Sequence, residues 1–353
     1  MQLATITLTH FRTYTRQTLS FSPLTIIVGE NTVGKTNILE AIHMLSTGKS
    51  FRADKDVDTI QFGSDFSRID ATLQDDNSAV KMSVQLINNS SIFHKRYLIN
   101  GVGKRLIEFA SFFCSIIFSP QDLEIISESP QMRRKYVDGL LFATSTEYRV
   151  SHTTYMKALR QRNKLLGLIK AGKRQYRADE FIYWNNLLLE HAKTIYRQRQ
   201  QYIEYVNAAQ QQIYPLELSY DASLVTPKRL EKYKDAELAS GVTLIGPQRD
   251  DIIIQFPNTD RLIREFASRG EQRLAVLQLK IFELEYVRKH TNTQPIFLLD
   301  DVFSELDASN IAHIVQTLPK QQTIITTTHI QDIPKKILSK ALVLNLPEDL
   351  KNS

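Results

Sequence analysis

The chain has 353 residues, 42% hydrophobic and 23% charged, the balance of a globular protein with an ordinary core and not of a disordered or fibrous one. No apolar run approaches the ~20 residues that cross a bilayer, and the start, Met1-Gln2-Leu3-Ala4-Thr5, shows no secretory pattern. A lone cysteine, Cys114, excludes an internal disulfide framework and fits a reducing, cytoplasmic setting.

The net charge of +6 is unevenly placed. Residues 131–205 hold fifteen basic and six acidic side chains, an excess of nine, so the rest of the chain is slightly acidic. That bias is the footprint of a nucleic-acid contact, or of a solvated helical surface.

The first 28 residues alternate apolar and polar and predict strands, the last being Thr25–Val28. A helix is expected over 34–46, where Ile38, Leu39, Ile42 and Leu45 recur at helical spacing. Short strands are expected through 67–100, with turns at Asp75-Asp76-Asn77 and Asn88-Asn89, and a buried strand over Phe112–Phe118. From about 130 the texture turns helical, with long helices expected over 131–142, 147–170 and 177–212. Strands return at Val242–Ile245 and Asp251–Phe256, then a helix at 269–289, a strand at Pro295–Asp300, a helix at 308–317 and a strand at Thr323–Thr328. This order reads as an α/β domain, residues 1–120 plus 240–353, interrupted by a basic, mostly helical arm at 121–239.

Gly29-Glu30-Asn31-Thr32-Val33-Gly34-Lys35-Thr36 matches G-x-x-x-x-G-K-[ST] between an apolar strand and a helix. Backbone N–H groups of such a loop converge on phosphates, aided by the helix N-terminus. Lys35 is expected on the β/γ-phosphates and the Thr36 hydroxyl on Mg²⁺. Phe297-Leu298-Leu299-Asp300-Asp301 is an apolar strand ending in two acids. Asp300 is the expected Mg²⁺-holding carboxylate, through a bound water, and Asp301 the general base or water-positioning group.

Ser268-Arg269-Gly270-Glu271-Gln272-Arg273 opens a helix 32 residues before Asp300. A hydroxyl and free N–H groups there suit an anion, and equally an ordinary helix cap. The order is similar to that of ABC-type ATPases, in which this segment touches the γ-phosphate held by the opposite subunit. Ser268, Gly270, Glu271 and Gln272 are therefore expected to act in trans, on an ATP-driven homodimer. Ser304-Glu305-Leu306-Asp307 is expected to be a dimer-contact loop. His329 is placed to sense the γ-phosphate or hold the attacking water, and Gln121 to link Mg²⁺ to the helical insertion.

With these residues placed, the chain resembles the RecF family, in the SMC-like branch of ABC ATPases. The likeness runs through His10-Phe11-Arg12-Thr13-Tyr14, Asn37–Ile42, Gly48-Lys49-Ser50-Phe51-Arg52, Pro130–Asp138, Leu159–Leu166, Gly246-Pro247-Gln248-Arg249-Asp250-Asp251 and Leu299–Asp307. It implies an ABC-type ATPase head with an inserted helical arm, ATP and Mg²⁺ as ligands, and a nucleotide contact for Arg12. It also implies slow, DNA-stimulated ATP hydrolysis, binding to duplex DNA and to gapped or single-strand/double-strand junctions, and work with RecR and RecO in loading RecA. The chain departs from the family pattern at Thr32, where glycine or a small residue is usual, at Gln248 and at Glu271. Thr32 is costly if its φ is positive.

The reading is an ATP-gated DNA clamp. Arg133, Arg134 and Lys135 are the expected phosphate contacts, with Arg160, Arg162 and Lys164 as further candidates. Arg160 and Arg162 alternatively brace the arm against the head. Two other readings stay open: a DNA-binding scaffold that uses ATP only as a dimerisation ligand, and the ATPase subunit of a membrane transporter. Turnover assays separate the first. The basic insertion and the long separation of Lys35 from Asp300 speak against the second.

Overall fold

Alternation along the first strands sets one layer of the structure. The computed structural model describes residues 1–75, 78–89, 92–291, 293–303 and 321–346. Strand β1 (Gln2–Phe11) buries Leu3, Ile6, Leu8 and Phe11 and turns Thr5, Thr7 and Thr9 to the other face. The strands that follow are β2 (Tyr14–Ser20), β3 (Leu24–Val28), β4 (Phe66–Asp75), β5 (Ser78–Asn89), β6 (Ile92–Ile99), β7 (Val102–Lys104) and β8 (Ser115–Phe118). Six of them form an antiparallel sheet in the order β2-β1-β4-β5-β6-β7.

Helix α1 (Lys35–Thr47) is buried on nearly every side, from Lys35 and Asn37 through Leu45 and Ser46. The reason is its neighbours. It packs on β1 and β5 of the antiparallel sheet and on β8 of a second sheet, whose other strands are β3, β11 (Ile296–Asp300), β12 (Thr323–Thr327) and β13 (Leu342–Asn345). That sheet is parallel, ordered β13-β3-β12-β11-β8, and its inner strands β11 and β12 are buried along their whole length because both of their faces are covered. Ile38, Leu39, Ile42, Leu298 and Ile324 share one core with Ile6, Leu8, Ile69 and Val84. The parallel order brings the ends of β3, β12, β11 and β8 to one edge, where α/β sheets place their ligands.

The chain divides into two compact units, Met1–Asp122 with the residues from Leu277 onward, and Leu123–Val276. The second unit contains α3 (Glu124–Ser127), α4 (Pro130–Thr144), α5 (Thr146–Lys170), α6 (Ala178–Ala208), α7 (Pro227–Ser240) and α8 (Ile263–Phe266), with the pair β9 (Glu217–Asp221) and β10 (Asp251–Gln255). The short helix α2 (Leu106–Ala110) belongs to the first unit, and α9 (Arg269–His290) leads the chain back to it. Residues 240–276 thus fall with the arm and not with the head, where sequence texture put them. The physical cause is that β10 pairs with β9 and packs on α4, and Asp250 and Asp251 take arginines from α6 and α4.

Two further expectations change. Val242–Ile245 is not a strand. Its backbone is held by side chains instead: Asn163 Oδ1 accepts from Thr243 N at 2.8 Å and Glu237 Oε1 from Leu244 N at 2.9 Å. The helix α7 and the strand β9, which the sequence did not single out, fill the stretch before it. Asp76-Asn77, the Ser304–Asp307 loop and the helix expected over 308–317 lie outside the described residues.

Candidate active site

The loop between β3 and α1 follows from two glycines. Gly34 has φ 105°, and a Cβ there would meet the Tyr14 hydroxyl at 2.6 Å, so no other residue fits. A Cβ on Gly29 would meet Val33 Cγ2 at 2.8 Å. Glu30, Asn31 and Thr32 are exposed, whereas Val33, Gly34 and Lys35 are buried. Thr32 does have a positive φ, 74°, in the left-handed region that a β-branched side chain avoids. The loop is therefore strained at the departure noted in the sequence.

Lys35 is 3% exposed, and its Nζ donates to the carbonyls of Gly29 at 2.7 Å and Glu30 at 3.0 Å. Burial lowers its pKa, and Asp301 and Asp300 push it back up. Asp301 Oδ2 lies 4.0 Å from Nζ. The Thr36 hydroxyl sits 3.0 Å from each oxygen of Asp300.

Asp300 ends β11 almost fully buried. Burial raises its pKa, the hydroxyls of Thr326 and Thr36 lower it, Asp301 raises it, and Arg52 of the Gly48–Arg52 segment lowers it. Asp301 has φ 51°, left-handed backbone held by its N–H donating to Thr326 Oγ1 at 3.0 Å. Thr326 also donates to Asp300 Oδ1 at 2.7 Å. The sequence reading missed Thr326; its only signal is the run Thr326-Thr327-Thr328 at the end of a strand that neighbours β11.

His329 follows β12, between the ends of β11 and β3, and is exposed. Its N–H donates to Thr327 Oγ1 at 3.2 Å. Gln121 is exposed in a 3₁₀ turn after β8, a turn closed by Asp122 Oδ2 accepting from Ser119 N at 2.7 Å. Both residues thus sit at the edge where Asp300 and the phosphate loop meet.

Ser268 and Glu271 form a reciprocal cap on α9. Ser268 N donates to Glu271 Oε2 at 2.7 Å, and Glu271 N to Ser268 Oγ at 3.3 Å. Gln272 Nε2 donates to the Ala267 carbonyl at 3.1 Å. Glutamate at 271 therefore suits the helix start. Gly270 is exposed, with no atom within 4 Å of a Cβ placed on it. Its own chain does not require a glycine there.

Arg12 grips buried Glu40 through Nε and Nη2 at 2.9 and 2.7 Å, and its Nη1 donates to the Asp58 carbonyl at 2.9 Å. Two expected contacts are corrected. Arg133 is 4% exposed and bidentate on Asp251 at 2.8 and 2.9 Å, so its fork cannot reach a phosphate. Arg162 is also buried. It bonds Glu237 at 2.6 Å, Thr243 at 2.7 Å and Asn185 at 2.8 Å, bracing the arm within itself and not against the head. Arg134 is half-buried and donates to the Asp250 carbonyl. Lys135 is exposed, and Lys157, Arg160 and Lys164 form an exposed stripe on α5.

Comparison with known proteins agrees with this geometry. Residues 2–344 match the family described as the RecF/RecN/SMC N terminal domain. The DNA replication and repair protein RecF of Macrococcus caseolyticus is 31% identical over 370 residues, covering 99% of this chain and 98% of that protein. RecF of Agathobacter rectalis is 33% identical over 348 residues, covering 95% and 94%. Two solved structures of the recombination mediator protein RecF in the RecFOR pathway are similar throughout. RecF-ATP has a TM-score of 0.84 at 30% identity over 94% of this chain and 93% of that one. RecF-ATPrS has 0.83 at 31% identity over 94% of each. A phosphate loop joined to a strand-end carboxylate, on a fold shared at full length with these proteins, places this chain in the RecF family of DNA replication and repair proteins, ATPases with an ABC-type, SMC-like head.

Proposed function

We propose that the protein is an ATP-gated DNA clamp: it dimerises on ATP, holds DNA in the closed state and releases it on slow hydrolysis. The observation that carries the reading is the Thr36 hydroxyl on the Asp300 carboxylate, beside the buried Lys35. Both are hard oxygen donors, the chemistry that Mg²⁺ selects. Thr36 and Asp300 would hold the ion, which when bound would supply positive charge against the charge that develops on the phosphates.

The rest falls to the protein. Backbone N–H groups of residues 29–36 and the Lys35 ammonium hold the phosphates. Asp301 orients a water and takes its proton as the water oxygen bonds to the γ-phosphorus and the bond to ADP breaks. His329, exposed at the same edge, receives the γ-phosphate side of the site. Gln121 ties occupancy of the metal site to the chain entering the arm.

Ser268 and Gly270 act on the nucleotide of a second copy. An exposed helix start with a glycine its own chain does not need supports that role, because only an external group profits from the bare backbone. Glycine here otherwise costs about 1 kcal/mol relative to alanine. Exposed Lys135 and the stripe Lys157, Arg160 and Lys164 give phosphate contacts independent of sequence. RecR and RecO are the expected partners, by analogy with the RecFOR pathway of the solved relatives.

Steady-state ATP turnover with and without gapped duplex tests the reading. Slow turnover that DNA accelerates, and that Lys35→Met and Asp301→Asn each remove, is expected. ATP binding without turnover in either condition would instead favour the scaffold reading, with ATP as a dimerisation ligand only.

A further inference from the structure

The antiparallel sheet has a solvent face that composition conceals. Outside residues 131–205 the chain is slightly acidic. Strand register nevertheless gathers arginines into one row. Thr9 of β1 pairs with Arg16 of β2 on one side and Arg68 of β4 on the other. Arg68 pairs with Gln85 of β5, and Gln85 with Arg96 of β6. The row reads Arg16, Thr9, Arg68, Gln85, Arg96 across five strands. With strands ~4.8 Å apart, it spans about 19 Å with an arginine about every 10 Å.

On one side the next rows carry Thr18, Thr7, Asp70, Ser83 and Leu98, then Ser20, Thr5, Thr72 and Lys81; on the other side the flanking row holds Phe66, Ile87 and His94. The opposite face of the same strands holds Ile6, Leu8, Ile69 and Val84 in the core, so these rows look outward. Arg16, Arg68 and Arg96 are exposed. Asp70 is the one carboxylate in these rows, and it pairs with Arg68 at 2.7 Å. Hydroxyls of Thr5, Thr7, Thr9, Thr18, Thr72 and Ser20 surround the cations.

We infer that this face binds the phosphate backbone of duplex DNA, a contact separate in the chain from the basic arm. Arginine and hydroxyl donors are the groups that hold phosphate oxygens. The arginine row and the hydroxyl rows on one side contain no aromatic side chain, and Phe66 on the other side packs edge-on against His10, which disfavours a single strand held by base stacking. Large apolar side chains lie at the margins, Leu98 on one side and Phe66 and Ile87 on the other, and not at the centre, which disfavours a protein partner, whose interface centre is aromatic and apolar. The breadth of the row suits a rigid duplex lying across the strands. The inference rests on the reading of the protein as a DNA-binding ATPase and adds where on the head the duplex lies.

The test is fluorescence anisotropy of the full chain with a labelled duplex of random sequence, over a salt series, with and without Mg-ATP. Arg16→Gln, Arg68→Gln and Arg96→Gln combined are expected to weaken binding roughly tenfold at moderate salt and to flatten the log–log salt slope by about 2.7, near 0.9 per lost contact. Asp70→Asn is expected to tighten binding, an opposite change that misfolding cannot mimic. ATP binding and thermal melting of the variants should match the parent. An unchanged slope in the triple variant overturns the inference, as does a loss confined to single-stranded DNA or to self-association. If the clamp reading fails instead, Mg-ATP will not alter DNA binding, yet the triple variant will still flatten the slope.

Discussion

The Thr36 hydroxyl and the Asp300 carboxylate meet at 3.0 Å across 264 residues of chain. Folding brings them together because β3 and β11 flank β12 in one parallel sheet, so the loop after β3 and the end of β11 share an edge. Burial raises the Asp300 pKa above its unfolded value. The native state therefore binds the extra proton more tightly, and this group's contribution to stability falls as pH rises through that window. At neutral pH burial of this carboxylate opposes folding.

Asp300→Asn should thus raise Tm by a few degrees at neutral pH while cutting ATP turnover about 100-fold or more. The gain in Tm should shrink as pH falls and vanish below about pH 3, under the unfolded aspartate's pKa of about 3.9, where the parent carboxylate is protonated in both states. Paired melts at the two pH values check it; a lower Tm at neutral pH would mean that the Thr36 and Thr326 bonds outweigh burial.

Thr32 holds φ 74° in the phosphate loop. Strain of this kind costs about 1–3 kcal/mol, and glycine returns about 0.5–1 kcal/mol as unfolded-chain entropy. Thr32→Gly should stabilise the protein by about 1 kcal/mol net, with ATP binding kept. Thermal melting and nucleotide titration measure both; destabilisation would show that the threonine side chain contributes more than its backbone costs.

Arg199 is 1% exposed and bonds Asp138 at 3.0 Å, Asp250 at 2.7 Å and the Pro247 carbonyl at 2.9 Å. Arg199→Met leaves two carboxylates without their shared cation and should cost about 3–5 kcal/mol. Lysine should not rescue it, because a single ammonium cannot reproduce the fork. Denaturant unfolding of Arg199→Met and Arg199→Lys tests this, and near-parental stability of the lysine variant would contradict it.

Gly270→Ala should stabilise α9 by up to about 1 kcal/mol, since nothing in its own chain crowds the position. The same variant should weaken ATP-dependent dimerisation if the helix start meets a second copy. Ser268→Ala should lose both, costing about 1 kcal/mol of helix cap as well. Sedimentation with Mg-ATP, beside melting curves, separates the two effects; unchanged dimerisation in Gly270→Ala would remove the proposed role in trans.

Local chemistry made much of this legible in the sequence. The glycines and Gly34-Lys35-Thr36 between strand and helix, the apolar run into Asp300, and the Ser268-x-x-Glu271 cap are each set within a few residues. What stayed hidden depends on partners far along the chain. Arg12 finds Glu40, and Arg133 finds Asp251, 118 residues away, so cations that look free in sequence are paired in the fold. Thr243 and Leu244 carry strand-like residues, but Asn163 and Glu237 take the bonds a neighbouring strand would have made. The arginine row is hidden for the same reason: its members come from three strands and align only through register.

The central claim, a nucleotide shared between two copies, is tested most directly by molecular mass in solution with Mg-ATP. Asp301→Asn blocks turnover, and Lys35→Met removes the phosphate contact as a control. The account predicts a shift from monomer to dimer in Asp301→Asn that Lys35→Met abolishes. An Asp301→Asn protein that binds ATP and stays monomeric would contradict it and leave a switch confined to one subunit.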